Sequence, residues 1–329
     1  MLDDRKSAIL SAVVQEYITT ALPVGSASIS RTPGIDVSSA TVRNEFAVLE
    51  QEGYLIQPHT SAGRVPTDKG YRYFVDHLTR PGRLDQATHR QVGDFFSAAN
   101  GRLEEMLHQT SNLLAALTHH AALVVGPRAD AAEVRTVQLV AVSDRLATVV
   151  VVLANGEVEN VTLDLDRDDV DLLDRAGAHL SAAFDGEVLG AVTEIPPSGD
   201  PDIDRLCGSV VQRIAAGASA DHVYTGGASE VARAFDAVDV VRSVLETLEQ
   251  QFVVVSLVSD IVDRGMSVAI GVEHGVEPLS ACSVVVAPVV VDGEHLGSVG
   301  VLGPTRMDYP QALATVDVVS HELGHRLGQ

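Results

Sequence analysis

The stretch that decides the fold runs from residue 37 to residue 64 and reads VSSATVRNEFAVLEQEGYLIQPHTSAGR. Its first half predicts a helix capped by Ser38, because a serine side chain accepts a hydrogen bond from a free amide of the first turn. Apolar residues spaced four and three apart, Val42, Phe46 and Leu49, mark the buried face of this helix. Gly53 is expected to end it.

The opposite face of this helix is expected to meet solvent, because successive residues are about 100° apart. It carries Ala40, Arg43, Asn44, Ala47 and Gln51, with Thr41 beside them. The major groove of DNA admits a helix, and arginine and asparagine make paired hydrogen bonds to guanine and adenine. Arg43 and Asn44 are therefore predicted to read bases. Ser38, Ser39 and Thr41 lie near the helix N-terminus and are candidates for phosphate contacts.

The second half of the stretch predicts a small hairpin, with a strand over 54–57, a polar loop over 58–64 and a return strand at Val65. Upstream, the apolar pattern predicts a first helix that ends before Pro23 and a short second helix over 27–31. A further helix is expected after Thr67. This order is typical of a winged helix-turn-helix, which we assign to residues 1–80. The wing residues predicted to contact DNA are His59, Thr60, Ser61, Gly63 and Arg64.

The net charge of −22 is unfavourable for DNA binding, which depends on basic residues that displace counterions from phosphates. The acidic residues are concentrated elsewhere, however. Residues 1–80 hold 8 basic and 9 acidic residues, whereas the other 249 hold 15 and 36. An acidic body is expected to repel stray DNA and to confine contacts to a small surface.

The rest of the chain predicts a mixture of helices and strands after a linker over 81–102. A helix is expected over 103–122, and His119 and His120 are expected at its exposed end. Strand patterns cover 134–142, 147–153 and 157–163, and two helical stretches follow over 168–184 and 202–216. Strands resume over 267–271, 282–291 and 295–302, and a helix closes the chain over 310–327.

Several motifs closely resemble the HrcA family of heat-inducible transcription repressors. They are GYL at 53–55, PHTSAGRVPT at 58–67, KGYR at 69–72, PVGS at 23–26, SSATVRNE at 38–45 and GPTRMDY at 303–309. The resemblance implies an α+β protein with an N-terminal winged helix-turn-helix, then a GAF-like α/β domain with an inserted dimerisation domain. We place the split GAF-like domain at 103–160 and 226–329, and the inserted domain at 161–225.

The resemblance also implies a function. A homodimer would repress chaperone operons of the groE and dnaK type by binding an inverted-repeat operator in double-stranded DNA, called CIRCE, and heat stress would release it. The chaperonin GroEL would act as a modulator of the active form. No cofactor is expected. A ligand-sensing regulator built on the GAF-like domain is an alternative of a different class.

A second alternative is a zinc peptidase, because residues 321–325 read HELGH, a complete HExxH motif. The buried stripe of that helix is predicted at Ala312, Val316, Val319, Leu323 and Leu327, which leaves His321 and His325 facing solvent. A catalytic zinc also needs a third ligand, and only four residues follow His325. We therefore expect no enzyme and no metal site.

The remaining composition favours a cytoplasmic protein, and the DNA-binding role that the resemblance implies would make it nucleoid-associated. The longest apolar runs, such as 284–291, fall short of the 18 or so residues of a membrane span, so no membrane partner is expected. Cys207 and Cys282 are the only cysteines, and they are expected to be reduced and buried.

Overall fold

A computed structural model describes residues 2–59, 62–78, 84–98, 102–127, 130, 132–154, 156, 158–166, 169–218, 222–235, 237–264 and 267–328. The helices are α1 (Asp4–Thr20), α2 (Ser26–Ile29), α3 (Ser39–Gln51), α4 (Asp68–Asp76), α5 (Gln86–Ala98), α6 (Leu103–Thr118), α7 (Leu173–Phe184), α8 (Pro201–Ala218), α9 (Ala228–Ala234), α10 (Val238–Glu249), α11 (Gln251–Asp263) and α12 (Tyr309–Leu327). The strands are β1 (Leu55–Ile56), β2 (Val65–Pro66), β3 (Ala121–Val125), β4 (Val134–Ser143), β5 (Leu146–Leu153), β6 (Val158–Asp164), β7 (Val223–Gly226), β8 (Val268–Ile270), β9 (Cys282–Val291) and β10 (Glu294–Pro304).

The fold is of the α+β class, and every strand pair in the described part of the chain is antiparallel. Helices α1 to α3 pack together through apolar side chains that are almost fully buried, such as Ile9, Val13, Val42 and Leu49. Strands β1 and β2 form a small hairpin in which Leu55 pairs with Pro66. These elements form the N-terminal unit.

The body is built on a five-stranded sheet with the order β7-β3-β10-β9-β8. Because strand side chains alternate between faces, Ala122 and Val124 enter the cluster with α6 and α12, whereas Ala121 and Leu123 enter the cluster with α10 and α11. The sheet is therefore covered by helices on both faces. Both cysteines are buried as predicted, and burial raises the pKa of the Cys282 thiol to about 12.

A second sheet, with the order β4-β5-β6, lies in a separate layer. Its buried side chains, including Val149, Val151 and Leu163, share one cluster with side chains of α7 and α8, such as Leu180 and Val210. The sequence analysis places the border between the GAF-like domain and the inserted domain at residue 160. Strand β6 runs through this border, and its Asn160 faces Val150 of β5. The packing therefore joins residues 134–160 to the helices that follow them.

Two stretches differ from the sequence-based expectation. The predicted linker over 81–102 contains α5, because Val92 and Phe96 are apolar enough to be buried in the same cluster as residues of α12. The helix predicted over 103–122 ends at Thr118, because His119 takes a left-handed backbone with φ 56° and donates its amide to Ala115 O at 2.9 Å. The residues that follow form β3 instead. Among the described residues, no helix is both long and apolar enough to span a lipid bilayer.

Candidate nucleic-acid interface

Helix α3 has the cap and the buried face that its sequence predicts. The Ser38 side chain accepts a hydrogen bond from the Thr41 amide at 3.2 Å and lies 3.0 Å from the Thr41 hydroxyl. Val42, Phe46 and Leu49 are buried against the rest of the N-terminal unit. This packing fixes the rotation of α3 about its axis, so the opposite face has a defined direction.

The opposite face of α3 is open to solvent. Its exposed residues are Ala40, Arg43, Asn44, Ala47 and Gln51, as predicted, while Ser39 and Thr41 are half-buried beside them. A planar guanidinium and an amide on adjacent residues give this face both of the side chains that most often read guanine and adenine. Two members of this face, Ala40 and Ala47, have small side chains, so another surface can approach the helix closely.

The β1–β2 hairpin is attached to the turn between α1 and α2. Val24 and Arg64 exchange two backbone hydrogen bonds, each 2.8 Å long, and Gln57 Nε2 donates to Ala62 O at 3.0 Å across the loop. Gly63 makes this contact possible, since a Cβ at that position would lie 2.5 Å from the Val24 carbonyl carbon. Gly63 therefore has a structural reason to be glycine, beyond any contact with DNA.

The predicted wing contacts differ in how accessible they are. His59 is exposed, whereas Thr60 and Ser61 lie outside the described residues. Arg64 is only 17% exposed, and its Nη2 atom lies 2.8 Å from Glu50 Oε2 of α3. Sequence reasoning missed this ion pair, because Glu50 precedes the hairpin and only the folded backbone brings the two side chains together.

An open groove of about 410 Å³ lies between α2, α3 and the hairpin. Its lining includes Ser26, Arg43, Gln57, Gly63 and Arg64, so residues predicted on the helix and on the wing meet at one surface. Arg43 and Arg64 bring two positive charges to this groove, and Glu50, which pairs with Arg64, offsets part of that charge.

Helix α4 connects this surface to the body. Thr67 caps α4 by accepting from the Gly70 amide at 3.2 Å, and its hydroxyl donates to Gly53 O at 2.7 Å at the end of α3. Lys69 also reaches back and donates to Glu52 O at 2.7 Å. Both contacts tie α4 to α3, so the two helices are expected to move together.

The histidines of the HELGH motif lie where the sequence predicts. Ala312, Val316, Val319 and Leu323 are buried, Leu327 is half-buried, and His321 and His325 are exposed on α12. In the described part of the chain, no group of three or more His, Cys, Asp or Glu side chains is placed to hold a metal ion.

His120 differs from the exposed helix end that the sequence predicts. It is half-buried beside Gly303 of β10, where a Cβ would lie 2.7 Å from the His120 Nδ1 atom. Burial lowers the pKa of His120 to about 4, and the neighbouring His119 contributes in the same direction. The sequence does not reveal the burial of His120, because the residue that covers it, Gly303, lies on a strand far along the chain.

Comparison with known proteins gives this architecture its class. The family described as HrcA protein C terminal domain matches residues 104–313. Proteins named heat-inducible transcription repressor HrcA match over nearly the whole chain. Those of Nocardia farcinica and Thermobifida fusca are 37% and 35% identical, each over 99% of this chain and 97% of the relative. That of Shouchella clausii is 33% identical over 99% and 98%.

The chain is thus a transcription repressor, a negative regulator of heat-shock genes. It belongs to the HrcA family of heat-inducible transcription repressors. The crystal structure of a hypothetical protein has the same fold, with a TM-score of 0.70 and 26% identity over 100% of this chain and 99% of that chain.

Proposed function

We propose that the N-terminal unit is a winged helix-turn-helix that binds double-stranded DNA. Helices α2 and α3 would form the helix-turn-helix, and the β1–β2 hairpin would form the wing. The observation that carries the proposal is the exposed Arg43 and Asn44 face of α3, held in place by a fully buried opposite face and bordered by the hairpin.

The proposed contacts fall into two groups. Arg43 and Asn44 read base edges in the major groove, and the neighbouring Ala40 and Ala47 allow close approach. The remaining contacts fix the register on the phosphate backbone, from Ser38, Ser39 and Thr41 at the helix N-terminus and from His59, Thr60, Ser61, Gly63 and Arg64 on the wing.

The proposed target is an inverted-repeat operator of the CIRCE type, bound by a homodimer, upstream of chaperone operons. A two-fold symmetric dimer places two recognition helices on two half-sites of a palindrome. Heat would release the operator, and the chaperonin GroEL would restore the binding-competent form. Action on the chromosome would place the protein at the nucleoid in the cytoplasm.

For the remainder of the chain, we propose that the five-stranded body is the GAF-like domain and that the β4-β5-β6 layer with α7 and α8 is the dimerisation element. The uncovered face of that sheet carries apolar side chains. Val140 is 49% exposed there, and Val150 and Val152 are half-buried.

Val140→Lys should shift the dimer toward monomer in sedimentation, whereas Val238→Lys on α10 should not, although Val238 is 72% exposed. An unchanged dimer with Val140→Lys would contradict this assignment.

The binding function is tested by titration of a labelled inverted-repeat duplex and a scrambled duplex at about 0.15 M salt. The protein should prefer the inverted repeat, and Arg43→Ala or Asn44→Ala should each remove about 1 to 3 kcal/mol of that discrimination. Arg90→Ala on α5 removes the same charge as Arg43→Ala and is the matched control. Equal affinity of the unmodified protein for both duplexes would refute the proposal.

A further inference from the structure

Two motifs that are far apart in sequence meet at one place in the structure. Tyr71, from the KGYR motif, lies on α4, and Tyr309, from the GPTRMDY motif, begins α12. Their ring centroids are 5.9 Å apart at an interplanar angle of 52°. Both side chains are buried, so this aromatic contact lies inside the junction between the N-terminal unit and the body.

A bidentate ion pair forms the second point of contact. Arg72 Nε donates to Glu273 Oε1 at 2.9 Å, and Arg72 Nη2 donates to Glu273 Oε2 and to Val268 O, the latter at 2.8 Å. Glu273 also accepts from the Ile270 amide at 2.9 Å. Although partial burial opposes ionisation, the Arg72 guanidinium and this amide hold the pKa of Glu273 below its ordinary value. Because two nitrogens of the planar guanidinium bind the two carboxylate oxygens, the pair restricts the relative orientation of the two side chains as well as the distance between them.

A close approach of backbone and side chain forms the third point of contact. Gly271 has φ 55°, and a Cβ there would lie 2.7 Å from the Asp68 carboxyl carbon at the start of α4. Glycine adopts this left-handed conformation without strain, and its missing Cβ leaves room for the Asp68 side chain. The three contacts are spread along α4 from Asp68 to Arg72, so together they fix the direction of that helix on the body.

We propose that this junction of Asp68, Tyr71 and Arg72 with Gly271, Glu273 and Tyr309 sets the half-site spacing that the repressor accepts. The inference rests on the proposed function, since it takes the protein to be a dimer that binds an inverted repeat. Thr67 and Lys69 tie α4 to the end of α3, so fixing α4 on the body also fixes the direction of the recognition face. Arg72 and Glu273 are positioning residues that act through α3.

The physical basis is effective concentration. When the first recognition helix is bound, the second binds with a high effective concentration only if its fixed direction matches the second half-site. A loosened junction lets the N-terminal unit reach many spacings, each with a lower effective concentration. The affinity of one unit for one half-site should not depend on the junction, because Arg43 and Asn44 lie on the exposed face of α3, whereas the junction residues lie on α4 and in the body.

The test compares a single half-site duplex with inverted repeats whose central spacer changes by one base pair at a time over one helical turn of about 10 base pairs. The full-length proteins are the unmodified chain, Arg72→Met, Glu273→Gln and the reversed pair Arg72→Glu with Glu273→Arg. The control is Arg233→Met, which breaks an exposed ion pair within α9. Glu273→Gln keeps the size of the side chain, so it provides a second variant if Arg72→Met fails to fold.

We expect the unmodified chain and the control to prefer the best spacing over the worst by about tenfold or more. Arg72→Met and Glu273→Gln should lower this ratio to less than about threefold while half-site affinity stays within about twofold. The reversed pair should recover part of the preference, because it keeps the ion pair but loses the hydrogen bonds with Val268 O and the Ile270 amide. Single variants that retain the original spacing profile would overturn the inference. So would a uniform loss at the half-site and at every spacing, which indicates a role in stability alone. Failure of the unmodified chain to bind any duplex would instead refute the proposed function.

Discussion

Gly63 provides the most direct test of how the hairpin is held beside α3. In Gly63→Ala, the new Cβ would lie 2.5 Å from the Val24 carbonyl carbon and 2.8 Å from that of Pro23. Real Cβ contacts are longer than 3.0 Å, and both neighbours are backbone atoms, so the hairpin must move away from the α1–α2 turn.

The cost can be worked out from the contacts that this movement breaks. The two backbone hydrogen bonds between Val24 and Arg64, each 2.8 Å long, contribute about 1 kcal/mol apiece. The partly exposed ion pair of Arg64 with Glu50 adds about 0.5 kcal/mol. We therefore expect Gly63→Ala to destabilise the N-terminal unit by about 2 to 3 kcal/mol and to weaken operator binding by tenfold or more.

Urea unfolding gives the stability change, and the operator titration gives the affinity change. Gly93→Ala on α5 is the matched control, because a Cβ at Gly93 meets no atom within 4 Å. Alanine has the higher helix propensity, so this control should be neutral or more stable by up to about 1 kcal/mol and should bind DNA normally. If Gly63→Ala behaved like Gly93→Ala in both assays, the argument from backbone approach would be refuted.

Three further predictions concern charge, burial and pH. Glu50→Gln should release Arg64 from its ion pair and make the plot of log affinity against log salt concentration steeper by about 0.9, for specific and scrambled DNA alike. The control is Glu45→Gln, whose partner is Arg5 and which should leave this slope unchanged. Equal slopes for the two variants would contradict the prediction. In the described part of the chain the buried Tyr71 hydroxyl has no hydrogen-bond partner, so Tyr71→Phe should raise the midpoint of urea unfolding, and a loss above 1 kcal/mol would argue against it. Folding favours neutral His120, so stability is complete above its ordinary pKa of 6.5 and should fall by up to about 3 kcal/mol as pH drops toward 4. Melting scans of His120→Phe should show a shallower decline over this window than the unmodified chain does, and parallel curves would count against the role of His120.

The sequence predicts elements whose signal is local. Val42, Phe46 and Leu49 define the buried face of α3 by spacing alone, and Ser38 caps that helix by its chemistry, so the exposed face of α3 follows from about fourteen residues. The HELGH motif shows the same logic, since the apolar stripe of α12 determines that His321 and His325 face solvent.

Contacts between distant segments could not be predicted in this way. The low exposure of Arg64 depends on Glu50, and the role of Arg72 depends on Glu273, which is some two hundred residues away. Helix α5 was predicted as a linker because Val92 and Phe96 are buried only when the body supplies a partner. The two motifs contain Tyr71 and Tyr309, but only the structure shows that these side chains meet.

The strand order of the body has a consequence for how the protein is made. Strand β10, close to the end of the chain, is the central strand, and β3 cannot pair with it until about 180 further residues have been synthesised. At bacterial rates of about 5 to 20 residues per second, β3 waits roughly 9 to 36 s on the ribosome. Throughout that time the apolar strand Ala121–Val125 has its central neighbour missing. Until synthesis is nearly complete, each new molecule therefore has an unpaired apolar strand edge, a state in which aggregation competes with folding.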